Sequence, residues 1–223
     1  MDRTFVSVHM YVSIDGKIDG EYMDEHGCDI SGEFYDEVIS SMGTAMASGR
    51  HTSEIYHAKA KIDYSAYSKT CELKDNVEKF PRYHFTFDRM GKCNWDNKFF
   101  EYGGEKMLNV AVLSRKVRPE YVSYLKENGF SYIFADSVKE ALEKIYGLGV
   151  EKLVLTGGAT IVGGFIKENL VDEISLVVAP YVQGTGNYKN FCELSGEYLS
   201  RKFVIKSTKP LADGGIQLVF IRG

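Results

Sequence analysis

The chain has 223 residues, 44% hydrophobic and 26% charged, with a formal net charge of −4 and a pI near 5.8. This composition suits a globular protein long enough to bury a core, and it excludes disordered, collagen-like and low-complexity chains. No basic stripe of the kind nucleic-acid binders carry is visible, no apolar run reaches the roughly 18 residues of a membrane span, and the start, Met1-Asp2-Arg3-Thr4-Phe5-Val6, lacks the segments of a signal peptide. The expectation is a cytoplasmic protein with neither nucleic-acid nor membrane partners.

Residues 4–12 are rich in β-branched and aromatic types and predict a strand covered on both faces. It runs into Ser13-Ile14-Asp15-Gly16-Lys17, where Asp-Gly marks a turn. Ser31 is read as the cap of a helix over 32–42, with Phe34, Tyr35, Val38, Ile39 and Met42 on one face. Thr44–Ser48 predicts a short buried strand ending at Gly49, and 57–80 an irregular excursion. Further strands are expected at Arg82–Asp88, Met107–Ser114, Phe130–Ala135, Lys152–Thr156 and Asp172–Ala179. Pro119 opens a helix that Gly129 stops. Ser137-Val138-Lys139-Glu140 is a capping box for a helix ending at Gly147, and another helix spans about Thr160–Glu168. Lys202–Lys209 and Gly215–Arg222 form a hairpin around Asp213-Gly214. The expected class is α/β: a mostly parallel central sheet with helices on both faces and an antiparallel C-terminal hairpin, in one domain over 1–223 with no linker or repeat.

The cysteines, Cys28, Cys71, Cys93 and Cys192, form no C-x-x-C and are read as reduced thiols. The histidines form no H-E-x-x-H, and no metal is expected. The strongest local signal is Val154-Leu155-Thr156-Gly157-Gly158-Ala159-Thr160-Ile161. There a strand ends, two glycines permit close backbone approach, and a helix N-terminus offers N–H groups to a phosphate. A plain tight turn is the alternative. Neither G-x-G-x-x-G nor a P-loop is present, since Gly164-Phe165 stands where Lys-Ser/Thr would be. Ser48-Gly49-Arg50-His51-Thr52 is a second phosphate candidate. Ser114-Arg115-Lys116-Val117-Arg118 is a third, suited to the 2′-phosphate that separates NADP from NAD. For all of these a solvated or capped helix start is the alternative. Asp15, just past the first strand, is a candidate acid with a raised pKa, a substrate anchor or a plain turn residue.

In order, Val12-Ser13-Ile14-Asp15-Gly16-Lys17, Asp29-Ile30-Ser31-Gly32, Gly49-Arg50-His51-Thr52, Phe87-Asp88-Arg89, Thr156-Gly157-Gly158-Ala159-Thr160 and Leu170-Val171-Asp172-Glu173-Ile174-Ser175 through Ala179-Pro180 resemble the reductase domain of riboflavin biosynthesis. That family lies within the dihydrofolate-reductase-like superfamily, and the resemblance spans about residues 4–222. It implies a dihydrofolate-reductase-like fold, a homodimer, and NADPH as hydride donor to a C=N or C=O carbon of a small heterocyclic or sugar-linked substrate. Carried over by position, Val12, Gly49, Arg50, Thr52 and Arg89 touch the cofactor, with Gly157, Gly158, Ala159, Thr160 and Ile161 and the helix on to Gly164 wrapping its pyrophosphate, and the basic run nominated above adds Ser114 and Arg115. Asp15, Lys17 and Thr156 face the substrate, and Asp15 is the catalytic candidate.

Two departures concern the substrate. Thr156 stands where the riboflavin enzymes carry a substrate-holding Glu. Ser53-Glu54-Ile55-Tyr56-His57-Ala58-Lys59 replaces their Asp-Asp-Pro-x-Leu-x-x-Arg stretch, whose Arg serves the substrate phosphate. The zinc deaminase signatures H-x-E and Pro-Cys-x-x-Cys are also missing. Two alternatives stay open: a non-catalytic nucleotide-binding sensor that kept the fold, and a dihydrofolate- or pteridine-reductase-like enzyme.

Overall fold

The computed structural model describes residues 2–43, 45–56, 58–184, 186–194 and 198–223. Thr44 and His57, part of the expected strand and excursion, lie outside the described residues. The elements in chain order are β1 (Phe5–Val12), α1 (Asp29–Met42), β2 (Ala45–Gly49), α2 (Arg50–Tyr56), β3 (Tyr83–Phe87), β4 (Phe99–Tyr102), β5 (Glu105–Leu113), α3 (Pro119–Glu127), β6 (Ser131–Phe134), α4 (Val138–Gly147), β7 (Lys152–Leu155), α5 (Ala159–Lys167), β8 (Glu173–Val178), β9 (Phe203–Pro210) and β10 (Ile216–Arg222). The chain divides into two compact units. Unit I holds residues 2–4 and 45–151, and unit II holds 5–43 and 152–223.

In unit I, β2, β3 and β5 pair in parallel in that order. The far edge of β5 is shared. Its first half pairs antiparallel with β4 and its second half parallel with β6. The sequence reading missed β4. It forms a hairpin with β5 through Gly103-Gly104, whose φ values of 56° and 76° only glycine adopts readily. An aromatic cluster of Trp95, Tyr121, Tyr124, Phe130 and Phe134 fills the core here. Ser137 accepts the Glu140 N–H at 3.1 Å, as a capping residue should, but the Glu140 carboxylate takes the Asp136 N–H instead of closing the box.

In unit II, β1 lies between β7 and β8, parallel to both, and the β10–β9 hairpin adds antiparallel to β8. The expected α/β class with its largely parallel strands and antiparallel C-terminal hairpin is what the structure shows. On one face of β1, Ser7 donates to Glu173 at 2.9 Å, and His9 bridges Ser175 at 2.9 Å and the Tyr35 carbonyl at 3.2 Å, which ties α1 to the strand. Burial lowers the His9 pKa to about 4, against hydrogen bonds to Tyr35 and Ser175 that raise it.

Helix α1 corrects one expectation. It begins at Asp29, and Ser31 lies inside it, not at its cap. The capping acceptor comes from the hairpin turn: Asp213 Oδ2 takes the Ser31 N–H at 2.7 Å. A tertiary partner has replaced the local one, which sequence spacing does not reveal.

Candidate functional site

Unit II, taken by itself, holds candidates on a turn and a loop. After β7, Thr156 leads into Gly157 with φ 151°, a value that side-chain-bearing residues rarely adopt, and the Gly157–Gly158 peptide is cis. Gly158 is the N-cap of α5 and has no side chain to cap the helix, and a helix start of this kind suits a diphosphate. Ala159 is buried, Ile161 half-buried and Thr160 exposed. Farther along α5, Gly163 has a different reason for its size: a Cβ there would run into the carbonyl oxygen of Glu193. Its smallness serves packing, not a ligand. Val12, buried at the end of β1, pairs with Val178.

The loop after β1 is a closed turn. Gly16 N–H donates to the Ser13 carbonyl, Ser13 N–H to the Lys17 carbonyl, both at 2.9 Å, and Gly16 sits at φ 79°. Asp15 is exposed, and its carboxylate accepts Ser13 Oγ at 2.7 Å, Gln183 N–H at 2.9 Å and Gly184 N–H at 3.1 Å. The expected raised pKa is reversed. The hydroxyl of Ser13, then the two backbone N–H groups, hold the carboxyl down at about 2. Asp15 is ionised at neutral pH and pins residues 183–184 to the strand end. Lys17 is half-buried, and no carboxylate among the described residues lies within ion-pair distance of its ammonium.

Unit I, taken by itself, holds candidates at the ends of β2, β3 and β5. Gly49 pairs with Phe87 at the ends of β2 and β3. Arg50 opens α2 and is ion-paired with Glu54 at 2.6 Å. Half-buried Thr52 follows it. Beneath α2 runs a buried chain that the sequence reading missed. Ser53 meets Thr86 at 2.8 Å and Ser48 at 3.0 Å, Ser48 meets His84 Nε2 at 3.1 Å, and His84 Nδ1 meets Asn109 Oδ1 at 3.0 Å. Asn109 Nδ2 donates to the Asn97 carbonyl at 3.2 Å, so Oδ1 is its accepting end. His84 therefore donates from Nδ1. The residues sit at alternating strand positions, 84 and 86 on β3 with 53 on α2, but nothing local announces the partners.

The basic segment after β5 is arranged differently from the expectation. Ser114 Oγ donates to the Arg89 carbonyl at 2.9 Å, and Arg89 itself donates to the Asp136 carbonyl at 3.2 Å. The Arg115 guanidinium is held by Asp136 at 2.9 Å and Glu140 at 2.6 Å, with both of its terminal nitrogens engaged. It is therefore not the open cation expected for a phosphate. Exposed Lys116 and Arg118 border an open surface depression of about 270 Å³ together with Met90, Gly91 and Lys92. Lys92 was not foreseen. Its signal was the turn Asp88-Arg89-Met90-Gly91-Lys92, in which Gly91 N–H donates to the Asp88 carbonyl and Gly91 has φ 64°.

Among the described residues no group of three His, Cys, Asp or Glu side chains is placed to hold a metal ion, and no helix is long and apolar enough to cross a membrane. All four cysteines are free.

The largely parallel strands with helices between them and the antiparallel C-terminal hairpin define an α/β protein. Residues 4–214 match the RibD C-terminal domain family, and the chain belongs to it. A relative from Archaeoglobus fulgidus, 2,5-diamino-6-ribosylamino-4(3H)-pyrimidinone 5′-phosphate reductase, is 28% identical over 108 residues, 47% of this chain and 48% of that protein. The chain thus matches about half the length of that curated relative. Two solved structures share the fold. The deaminase/5-amino-6-(5-phosphoribosylamino)uracil reductase of Thermotoga maritima has a TM-score of 0.64 at 18% identity, covering 99% of this chain and 57% of that one. A pyrimidine reductase-like protein of Corynebacterium diphtheriae has a TM-score of 0.68 at 13% identity, covering 99% and 92%.

Proposed function

We propose that the chain is a reductase that uses NADPH on a ribosylamino-pyrimidinone phosphate, the substrate class of its Archaeoglobus relative. The observation that carries this reading is the family match over residues 4–214, with the glycine-led start of α5 falling where the resemblance assigns the pyrophosphate. When bound, the nicotinamide supplies a hydride to a C=N or C=O carbon. In unit II, Gly157, Gly158, Ala159, Thr160 and Ile161 present backbone to the diphosphate, and Val12 offers an apolar wall. In unit I, Gly49, Thr52 and Arg89 serve the nucleotide by position. Asp15 is a positioning residue: its ionised carboxylate fixes the loop that carries Lys17, and Lys17 meets the substrate. Replacing Gly158 with Val tests the assignment. Tight NADPH binding is expected to disappear from a protein that still folds, because the side chain would occupy the diphosphate position; normal binding by the variant would make the turn purely structural.

The same reading places the protein in the cytoplasm as a homodimer. One sheet face of unit II supports the dimer. Leu176, Val178, Ile216, Leu218 and Phe220 are half-buried side by side, and Ile205 beside them is 61% exposed. Sedimentation at micromolar concentration is expected to give the mass of two chains.

A further inference from the structure

Lys17 stands on a backbone that is held from several sides, and one of its holders is a buried phenol. The Lys17 N–H donates to Ser13 Oγ at 3.0 Å, and the Lys17 carbonyl accepts the Ser13 N–H at 2.9 Å. The neighbouring peptides are tied down as well. Ile18 N–H donates to the Lys189 carbonyl at 3.0 Å and Phe191 N–H to the Gly16 carbonyl at 3.2 Å, the two bonds of an antiparallel bridge between Lys17 and Asn190. From the core side, the Tyr22 hydroxyl donates to the same Lys17 carbonyl at 3.0 Å. A phenol has one proton to give, and the Tyr11 carbonyl, at 3.5 Å, is the poorer acceptor. Tyr22 is 3% exposed, and its ring lies 5.7 Å from that of Tyr11. Its backbone is fixed too: Tyr22 N–H donates to Gln183 Oε1 at 3.2 Å, and Gln183 N–H donates to the Asp15 carboxylate at 2.9 Å. Gly20 permits that approach, since a Cβ there would overlap the Gln183 amide. Burial chiefly pushes the Tyr22 phenol well above the ordinary tyrosine range, so it stays a donor at working pH. With N–H and carbonyl both held, the Cα–Cβ bond of Lys17 points one way, and less conformational freedom remains to be lost when its side chain meets a partner.

We propose that Tyr22 is a positioning residue, whose hydroxyl holds the Lys17 carbonyl and so aims the Lys17 side chain at the substrate; only the last step rests on the reductase reading. Tyr22→Phe removes the hydroxyl and keeps the ring. Tyr11→Phe, the control, removes a second buried hydroxyl from the same aromatic cluster, one directed at the Cys28 carbonyl at 3.4 Å. Amide hydrogen exchange of the free protein tests the hold. In Tyr22→Phe the Lys17 and Ile18 N–H groups are expected to exchange about 3- to 10-fold faster than in the wild type, and in Tyr11→Phe at the wild-type rate. Steady-state reduction of a ribosylamino-pyrimidinone 5′-phosphate by NADPH tests the aim. Tyr22→Phe is expected to raise the substrate KM about 3- to 10-fold, with kcat and NADPH affinity within about twofold of wild type, and Tyr11→Phe to leave all three there. In a Lys17→Ala background, Tyr22→Phe is expected to raise KM no further, because the side chain it aims is gone. The positioning role is overturned by unchanged exchange at Lys17 and Ile18, by a wild-type KM in Tyr22→Phe, by an equal rise in Tyr11→Phe, or by the same rise with and without the Lys17 side chain. In each of these cases turnover by the wild type leaves the reductase reading standing. A wild type that turns no pyrimidinone phosphate over overturns the reductase reading instead, and the exchange rates alone then decide whether Tyr22 holds Lys17.

Discussion

Asp15 in unit II and Asp88 in unit I follow strand ends and do the same job. Each carboxylate collects two backbone N–H groups and so fixes a loop that carries a lysine. They differ in burial: Asp15 is exposed and Asp88 is 2% exposed. Water can replace an exposed acceptor, whereas a buried N–H left without one bears its full desolvation cost. The same motif is therefore structural in one unit and mainly positional in the other.

Asp88→Ala should have the largest effect. It strips the acceptor from Lys92 and Cys93 inside the aromatic core, and a loss of about 2–4 kcal/mol is expected in denaturant unfolding. Asp88→Asn keeps an acceptor and should lose less. Equal losses for the two would mean that the carboxylate acts through its charge, not through the two bonds.

The second unit is not tolerant throughout, and His9 sharpens that point. Its folded pKa, about 4, lies below the ordinary 6.5, so the unfolded chain binds the proton more readily. Stability is complete above pH 6.5 and is lost as pH falls toward 4. The expected loss is about 3 kcal/mol. His9→Gln should flatten the pH dependence of unfolding between those limits; an unchanged slope would assign it to other groups.

Asp15→Asn should do least. The carboxyl sits at about 2, so whatever it adds to stability is present above pH 3.8 and fades only toward pH 2. Asn retains an acceptor for the loop. Single-turnover hydride transfer is expected to stay within about threefold of wild type, while Asp15→Ala releases the loop and raises the substrate KM. A fall of about 10²–10⁴-fold in the Asn variant would instead restore a general-acid role.

Most of the strand and helix positions were legible because local signals fixed them. Pro119 and Gly129 bracket α3, alternation marks β3, and Gly157-Gly158 separates β7 from α5. The features that were not legible depend on partners distant in sequence. Ser31 looked like a cap until Asp213, 182 residues away, took its N–H. Arg115 looked like an open cation until Asp136 and Glu140 closed on it. For Asp15 an acid, an anchor and a turn residue were all open, and the N–H groups of Gln183 and Gly184 that hold its carboxylate come from 168 residues away and later. β4 escaped because four residues ending in two glycines read as loop without the β5 edge they pair with. Residue types could nominate the candidate site, but the partners of Asp15 and Arg115 come from the fold.

The central claim is hydride transfer from NADPH. The most direct measurement is a single turnover with NADPH deuterated at both positions of nicotinamide C4 and a ribosylamino-pyrimidinone 5′-phosphate as substrate, with the product read by mass spectrometry. One deuterium on carbon in the reduced product is expected for each NADPH oxidised. Bound NADPH that stays reduced beside saturating substrate, or a reduced product without the label, would contradict it.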